Sequence, residues 1–168
     1  RLWDALDEGL LVPFHYFGVF DPTSAERAWK RGRVDLGVLA GVYEADDLRA
    51  RRVVDAVLST VGAPGKMRAL GFCVGVRHAQ RMARAFCEAG LASQAVHGGS
   101  TREARAAALR GLRDGTLRAV FTVDLFNEGV DIPEADTVLM LCPTQSATVF
   151  LQQLGRGLRR HPDKPQLT

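Results

Sequence analysis

From about residue 66 onward, short apolar runs alternate with longer stretches whose apolar residues recur at helical spacing, the pattern of βα units. "ALGFCVG" (69–75) is a continuous apolar strand, and "RHAQRMARAFCEAG" after it reads as a helix closed by Gly90. "SQAVHGG" predicts a brief strand near 94–97 followed by a glycine turn. Ser100 and Glu103 have capping-box spacing for a helix over 101–114, which Gly115 stops. "RAVFTVD" (118–124) and "TVLMLC" (137–142) are two more buried strands, and Ser146 is placed to cap a last helix running into "QQLGRGLRR" (152–160). Runs without polar alternation, interleaved with helices, predict an α/β fold with a mostly parallel sheet covered on both faces.

The first 65 residues have a different rhythm. "LLVPFHYFGVF" (10–20) reads as an edge strand interrupted at Pro13, since proline cannot donate to a ladder. "TSAERAWKRG" and "ADDLRARRVVDAVLSTVG" read as helices. The second has Val54, Val57, Leu58 and Val61 on one face, with Asp46 or Asp47 as cap. "GAPGK" (62–66) is the natural hinge. The expected division is a lead-in segment and edge strand over 1–21, a small helical insertion on the sheet edge with its hinge over 22–65, and the main domain over 66–168.

Composition narrows the classes. With 168 residues, 46% hydrophobic and 24% charged, the chain can bury one core. A net charge of +3 is too mild to announce nucleic acid by itself, so partners must be argued from sites. Cys73, Cys87 and Cys142 are odd in number and lack metal-ligand spacing, which predicts reduced, buried thiols and neither a disulfide frame nor zinc. His15, His97 and His161 show no ligand spacing either, and no metal site is expected. No apolar run reaches the roughly 18 residues of a membrane span and no signal peptide opens the chain, so a cytoplasmic protein without membrane contact is expected. A start at Arg1 and an end just after the breaker-rich "HPDKP" are read as those of a piece of a larger protein.

The segment Gln152–Arg160 puts two glycines among three arginines, although each mid-helix glycine costs about 1 kcal/mol against alanine. At roughly 100° per residue, Gln152, Arg156 and Arg159 fall on one helix face and Leu151, Leu154 and Leu158 on another. The leucines would face inward, and Gly155 and Gly157 would clear room beside the guanidinium stems. Two planar, permanently charged forks on one face suit phosphate. A solvated basic face is the plainer alternative, against which the glycines and the leucine stripe weigh.

This stretch resembles motif VI, Q-x-x-G-R-x-x-R, of superfamily-two helicases and translocases, with Gln152, Gly155, Arg156 and Arg159 at the matching positions. "VFTVDLFNEGVDIP" (120–133) resembles motif V and "ALGFCVGVRHAQRMA" (69–83) motif IV, while "VHGGSTREARAAALRGLRDG" resembles the segment between them. "ALDEGLLVPFHYFGVFD" and "RVDLGVLAGVYEADDL" are similar to a bacterial subgroup of DEAD/DEAH-type helicases related to restriction and repair enzymes. The resemblance implies the second RecA-like, three-layer motor domain of a two-domain enzyme. ATP and Mg2+ would be held mainly by the first, N-terminal RecA-like domain of the same polypeptide. Arg159 would be the arginine finger, with Arg156 beside it and Gln152 orienting water or phosphate. Asp131 would meet a ribose hydroxyl or a motif VI arginine, Gly129 would allow the tight turn, and Glu128 belongs to the same nucleotide-facing loop; ordinary turn acids before Pro133 are the alternative. Arg77, His78, Thr122, Thr144 and Ser146 would follow the backbone of DNA, with RNA also possible. Ser146 as a cap and His78 as a core histidine are their plainer readings.

No G-x-x-x-x-G-K-S/T occurs, since "GAPGKM" (62–67) has the wrong spacing, and no D-E-x-D/H box follows any strand. The chain alone is therefore expected neither to bind ATP tightly nor to hydrolyse it. A non-catalytic helicase-like binding or interaction module is the second reading. A free-standing Rossmann enzyme is a distant third, because no G-x-G-x-x-G follows the first strand.

Overall fold

The computed structural model describes residues 8–23, 26–30, 33–123, 132–143, 147–162 and 164–168. Its elements in chain order begin with hairpin strands β1 (Trp29–Lys30) and β2 (Arg33–Val34) and helices α1 (Leu36–Ala45) and α2 (Asp47–Thr60). Then come β3 (Ala69–Phe72), α3 (Val76–Glu88), β4 (Ser93–Val96), α4 (Arg102–Asp114), β5 (Ala119–Thr122), β6 (Thr137–Met140) and α5 (Ala147–Gly157).

The last four strands form one parallel sheet in the order β4-β5-β3-β6. Every residue of β3 and β5 is buried, because helices cover both faces and leave no solvent side for a polar alternation. On one face Ala69, Phe121 and Leu139 meet Val54 and Val57 of α2 and Met82 and Phe86 of α3. On the other, Leu70, Phe72 and Val120 meet Ala108 and Leu112 of α4, and Val138 and Met140 meet Leu154 of α5. The α/β three-layer expectation holds. Gly71 makes room for its cross-strand partner: a Cβ there would clash with the ring of Phe121 on β5, which stacks edge-on against Phe86 of α3 at 4.9 Å.

Helix ends follow local chemistry. Asp46 caps α2 by accepting from the Arg49 amide at 2.9 Å, leaving Asp47 to pair with Arg81 of α3. At α4 the cap is Thr101, whose hydroxyl accepts from the Ala104 amide, and not Ser100, whose hydroxyl accepts from the His97 amide at 3.0 Å. Gly115 then takes the left-handed conformation that ends α4.

Other expectations change. In the described part of "TSAERAWKRG", Glu26–Ala28 form one short 3-10 turn and Trp29–Lys30 pair with Arg33–Val34, in place of the expected helix, with Ala28 O accepting from the Asp35 amide. Helix α2 packs over the sheet beside α3, although Leu58 faces solvent. The strand expected over 10–20 is reduced to isolated bridges at Leu11 and Phe14, since Pro13 lacks the amide that would continue a ladder. Its carbonyl still accepts from Leu167 N, and Thr168 on its other side bonds Asp136 and Val138, so residues 167–168 lie between residues 13–15 and the start of β6. Of the cysteines, Cys73 is buried, but Cys142 is only partly buried and Cys87 is exposed against Ser93, so buried thiols throughout was wrong. Among the described residues, no helix is long and apolar enough to cross a membrane.

Candidate functional site

Strands β5, β3 and β6 are neighbours and parallel, so the loops that follow them leave from the same end of the sheet. Crevices at this end are where open parallel sheets bind ligands. After β3 the chain turns into α3, with Arg77 exposed in its first turn. Thr122 closes β5. It is 3% exposed, so its expected place as a contact to the nucleic-acid backbone is corrected to a buried one, and its Oγ1 has no hydrogen-bond partner among the described residues. Glu128, Gly129 and Asp131, and Thr144 and Ser146 after β6, lie outside the described residues.

His78 does not reach a surface where a nucleic acid could touch it. It is 1% exposed, its ring lies 5.3 Å from that of Tyr43, and Arg49 Nη1 donates to its Nε2 at 3.0 Å. Burial, with the Arg49 charge beside it, lowers its pKa to about 3, so the ring is neutral. The expectation of His78 as a backbone contact is corrected to a core role. Its first-turn position on α3 was legible; the guanidinium arriving from α2 was not.

That guanidinium organises a cluster the sequence did not announce. Arg49 is 7% exposed, pairs with Asp21 at 2.7 Å and lies 3.6 Å over the centre of the Tyr43 ring. Burial pushes the Asp21 carboxyl up, but hydrogen bonds from Thr23 and Arg49, with the Arg49 charge, outweigh it and hold the pKa below its ordinary value. Burial raises Tyr43 and drives the Cys73 thiol far up, so Cys73 is inert as a nucleophile.

Helix α5 ends at Gly157, so the single helix face drawn through Arg159 does not exist. Leu158 is fully buried and its carbonyl accepts from Val12 N at 2.9 Å, while Arg159 forms an antiparallel bridge with Leu11 and is exposed. Gln152 is exposed on the helix, and Leu151, expected inward, is 44% exposed. The two glycines separate in role. A Cβ at Gly155 would meet nothing within 4 Å, whereas one at Gly157 would lie 2.6 Å from Leu167 and 2.9 Å from Val138. Gly155 leaves open space beside the polar residues; Gly157 lets the helix end touch the sheet.

Beyond this turn Lys164, 5% exposed, sends its Nζ to three main-chain carbonyls: Pro133 at 2.6 Å, Gly157 at 2.8 Å and Ala135 at 2.9 Å. In the sequence it reads only as a lysine in a breaker-rich turn. A cavity of about 500 Å³ lies elsewhere, between β6 and residues 14–21, and none of the candidate residues lines it.

The family model described as "Helicase conserved C-terminal domain" matches residues 52–161. A 51.5 kDa protein of a Lactococcus phage is 30% identical over 105 residues, which are 62% of this chain and 23% of that protein. The pre-mRNA-splicing ATP-dependent RNA helicase PRP28 of Cryptococcus neoformans is 26% identical over 111 residues, 66% of this chain and 15% of that protein. The chain thus spans less than a quarter of the length of either curated relative. Among solved structures, the E. coli DEAD-box protein SrmB superposes with a TM-score of 0.60 at 21% identity, covering 73% of this chain and 69% of that one, a likeness of fold.

Proposed function

The chain belongs to the helicase conserved C-terminal domain family, and from that premise we propose that it is the second motor domain of an ATP-dependent DNA helicase or translocase whose first motor domain lies elsewhere in the same polypeptide. The observation that carries this reading is topological. The stretches resembling motifs IV and V begin in β3 and β5 and run on past them, and the one resembling motif VI covers the end of the helix after β6 and the residues just beyond it; the three strands are adjacent and share one direction.

Gln152 and Arg159 are exposed, and the space beside Gly155 is open, so the donor set suits a triphosphate approaching from a facing domain. Bound between the two domains, ATP supplies the phosphoryl group. Arg159, with Arg156, stabilises charge on its terminal oxygens; Gln152 orients the attacking water; Gly129, Asp131 and Glu128 form the loop against the sugar. Arg77, with Thr144 and Ser146, holds the phosphodiester backbone, a contact that ignores base identity.

The test is ATP hydrolysis by the parent polypeptide, with duplex DNA and with structured RNA, comparing wild type and Arg159→Ala. Arg159→Ala should lower stimulated turnover by about 10³-fold or more while ATP binding survives. A wild-type parent without turnover would favour the non-catalytic module. RNA is a second reading because PRP28 is by name an RNA helicase; stimulation by RNA and not by DNA would replace the DNA assignment.

A further inference from the structure

We infer that Lys164 is a positioning residue for the arginine finger: it ties the end of the helix that precedes Arg159 to the chain leaving the motif V loop. The inference rests on the motor reading above and adds a residue that the motif resemblance does not include.

A lysine this buried is uncommon without a dedicated set of acceptors. An ammonium has three N–H donors, and among the described residues Nζ has carbonyl acceptors at 2.6, 2.8 and 2.9 Å. The identity of the carbonyls gives the contact its meaning. Gly157 is the last residue of α5, where carbonyls lack an intrahelical partner and the helix dipole favours a cation. Pro133 and Ala135 lie just past segment 124–131, on the way to β6. One Nζ therefore joins the two stretches from which the nucleotide-facing residues come.

Arg159 stands two residues beyond that anchor and is held from its other side as well. Val12 N donates to Leu158 O, Leu11 bridges Arg159, and Leu158 is fully buried. The backbone leading into the finger is thus fixed, and Arg159 itself is exposed. Displacement of a catalytic group by about 1 Å can lower turnover by about 10²-fold, so loss of the Lys164 anchor acts on rate before it acts on nucleotide binding.

The experiment uses the parent polypeptide with its nucleic acid and a four-member cycle of wild type, Lys164→Met, Arg159→Ala and the double variant, read by ATP hydrolysis including single-turnover conditions. Lys164→Met should lower kcat by about 10- to 100-fold with little change in KM for ATP. In the Arg159→Ala background the same substitution should matter by less than about threefold, because the residue it positions is gone. Lys164→Arg, which keeps charge and donors but is a planar fork, should recover part of the rate. If Lys164→Met does not fold, Lys164→Gln takes its place in the same cycle. An unchanged kcat, or an equal loss in both backgrounds as general destabilisation would give, overturns the positioning role alone. A parent with no turnover, or one in which Arg159→Ala is silent, overturns the motor reading and this inference with it.

Discussion

Arg49 and Lys164 are both cations in the interior, one in the layer of α2 and α3, the other beside the end of α5, and they are satisfied in opposite ways. Arg49 is held by side chains: the Asp21 carboxylate, the Tyr43 ring and the His78 nitrogen. Among the described residues, the partners of the Lys164 Nζ are main-chain carbonyls. A side-chain cluster can be titrated and dismantled one partner at a time. A carbonyl cradle survives any substitution that leaves the backbone in place, so it is disturbed by moving the chain.

The sharpest test of that difference is Arg49→Met, expected to destabilise the chain by about 3 kcal/mol in urea denaturation at neutral pH, because it strips His78 and Asp21 of their common partner. A loss below about 1 kcal/mol would mean that water replaces the guanidinium, and the cluster would no longer count as buried.

Acid should probe the same cluster. The folded-state pKa of His78, about 3, lies below the ordinary histidine value of 6.5, so the unfolded chain takes up the proton first. Stability from the neutral ring is fully present above pH 6.5 and is lost as pH falls toward about 3, with a slope of at most about 1.4 kcal/mol per pH unit. Asp21, held below its ordinary value, adds acid sensitivity only at the lower end. His78→Gln should flatten the profile between pH 4 and 6.5, measured by thermal melts across pH. An unaltered profile would place the titrating group elsewhere.

Near Lys164 the expected sensitivity is to backbone displacement. Gly157→Ala forces a methyl group against Leu167 and Val138 and should cost about 1–3 kcal/mol, shifting the carbonyl that Lys164 holds. Gly155→Ala, two residues earlier and facing open space, should stabilise by up to about 1 kcal/mol through helix propensity. Equal effects of the two substitutions in denaturation would show that the helix end is not seated on β6 as described.

Much of the sheet was readable because a strand covered on both faces must be apolar along its whole length, as "ALGF" and "AVFT" are. Asp46 was readable as a cap because the partner of such a carboxylate is the amide three residues on. The error at Ser100 arose where two hydroxyl residues compete for one cap and the neighbouring His97 turn takes the first. For α5, leucine spacing carried the helix too far. Leu158 is buried as its place in the stripe suggested, but through bonding to residue 12 and not through a further helical turn.

The sequence by itself determined the alternation of strands and helices and the order of the motif-like stretches along the chain, because both depend on spacings between near neighbours. Only the tertiary structure decided that His78 is a core residue, that Gly155 and Gly157 serve different ends, and that Lys164 spans from Gly157 to Pro133. Their partners lie far along the chain, 31 residues away for the bond of Lys164 to Pro133, where the acceptor is a main-chain atom common to every residue type, which leaves no mark in the sequence.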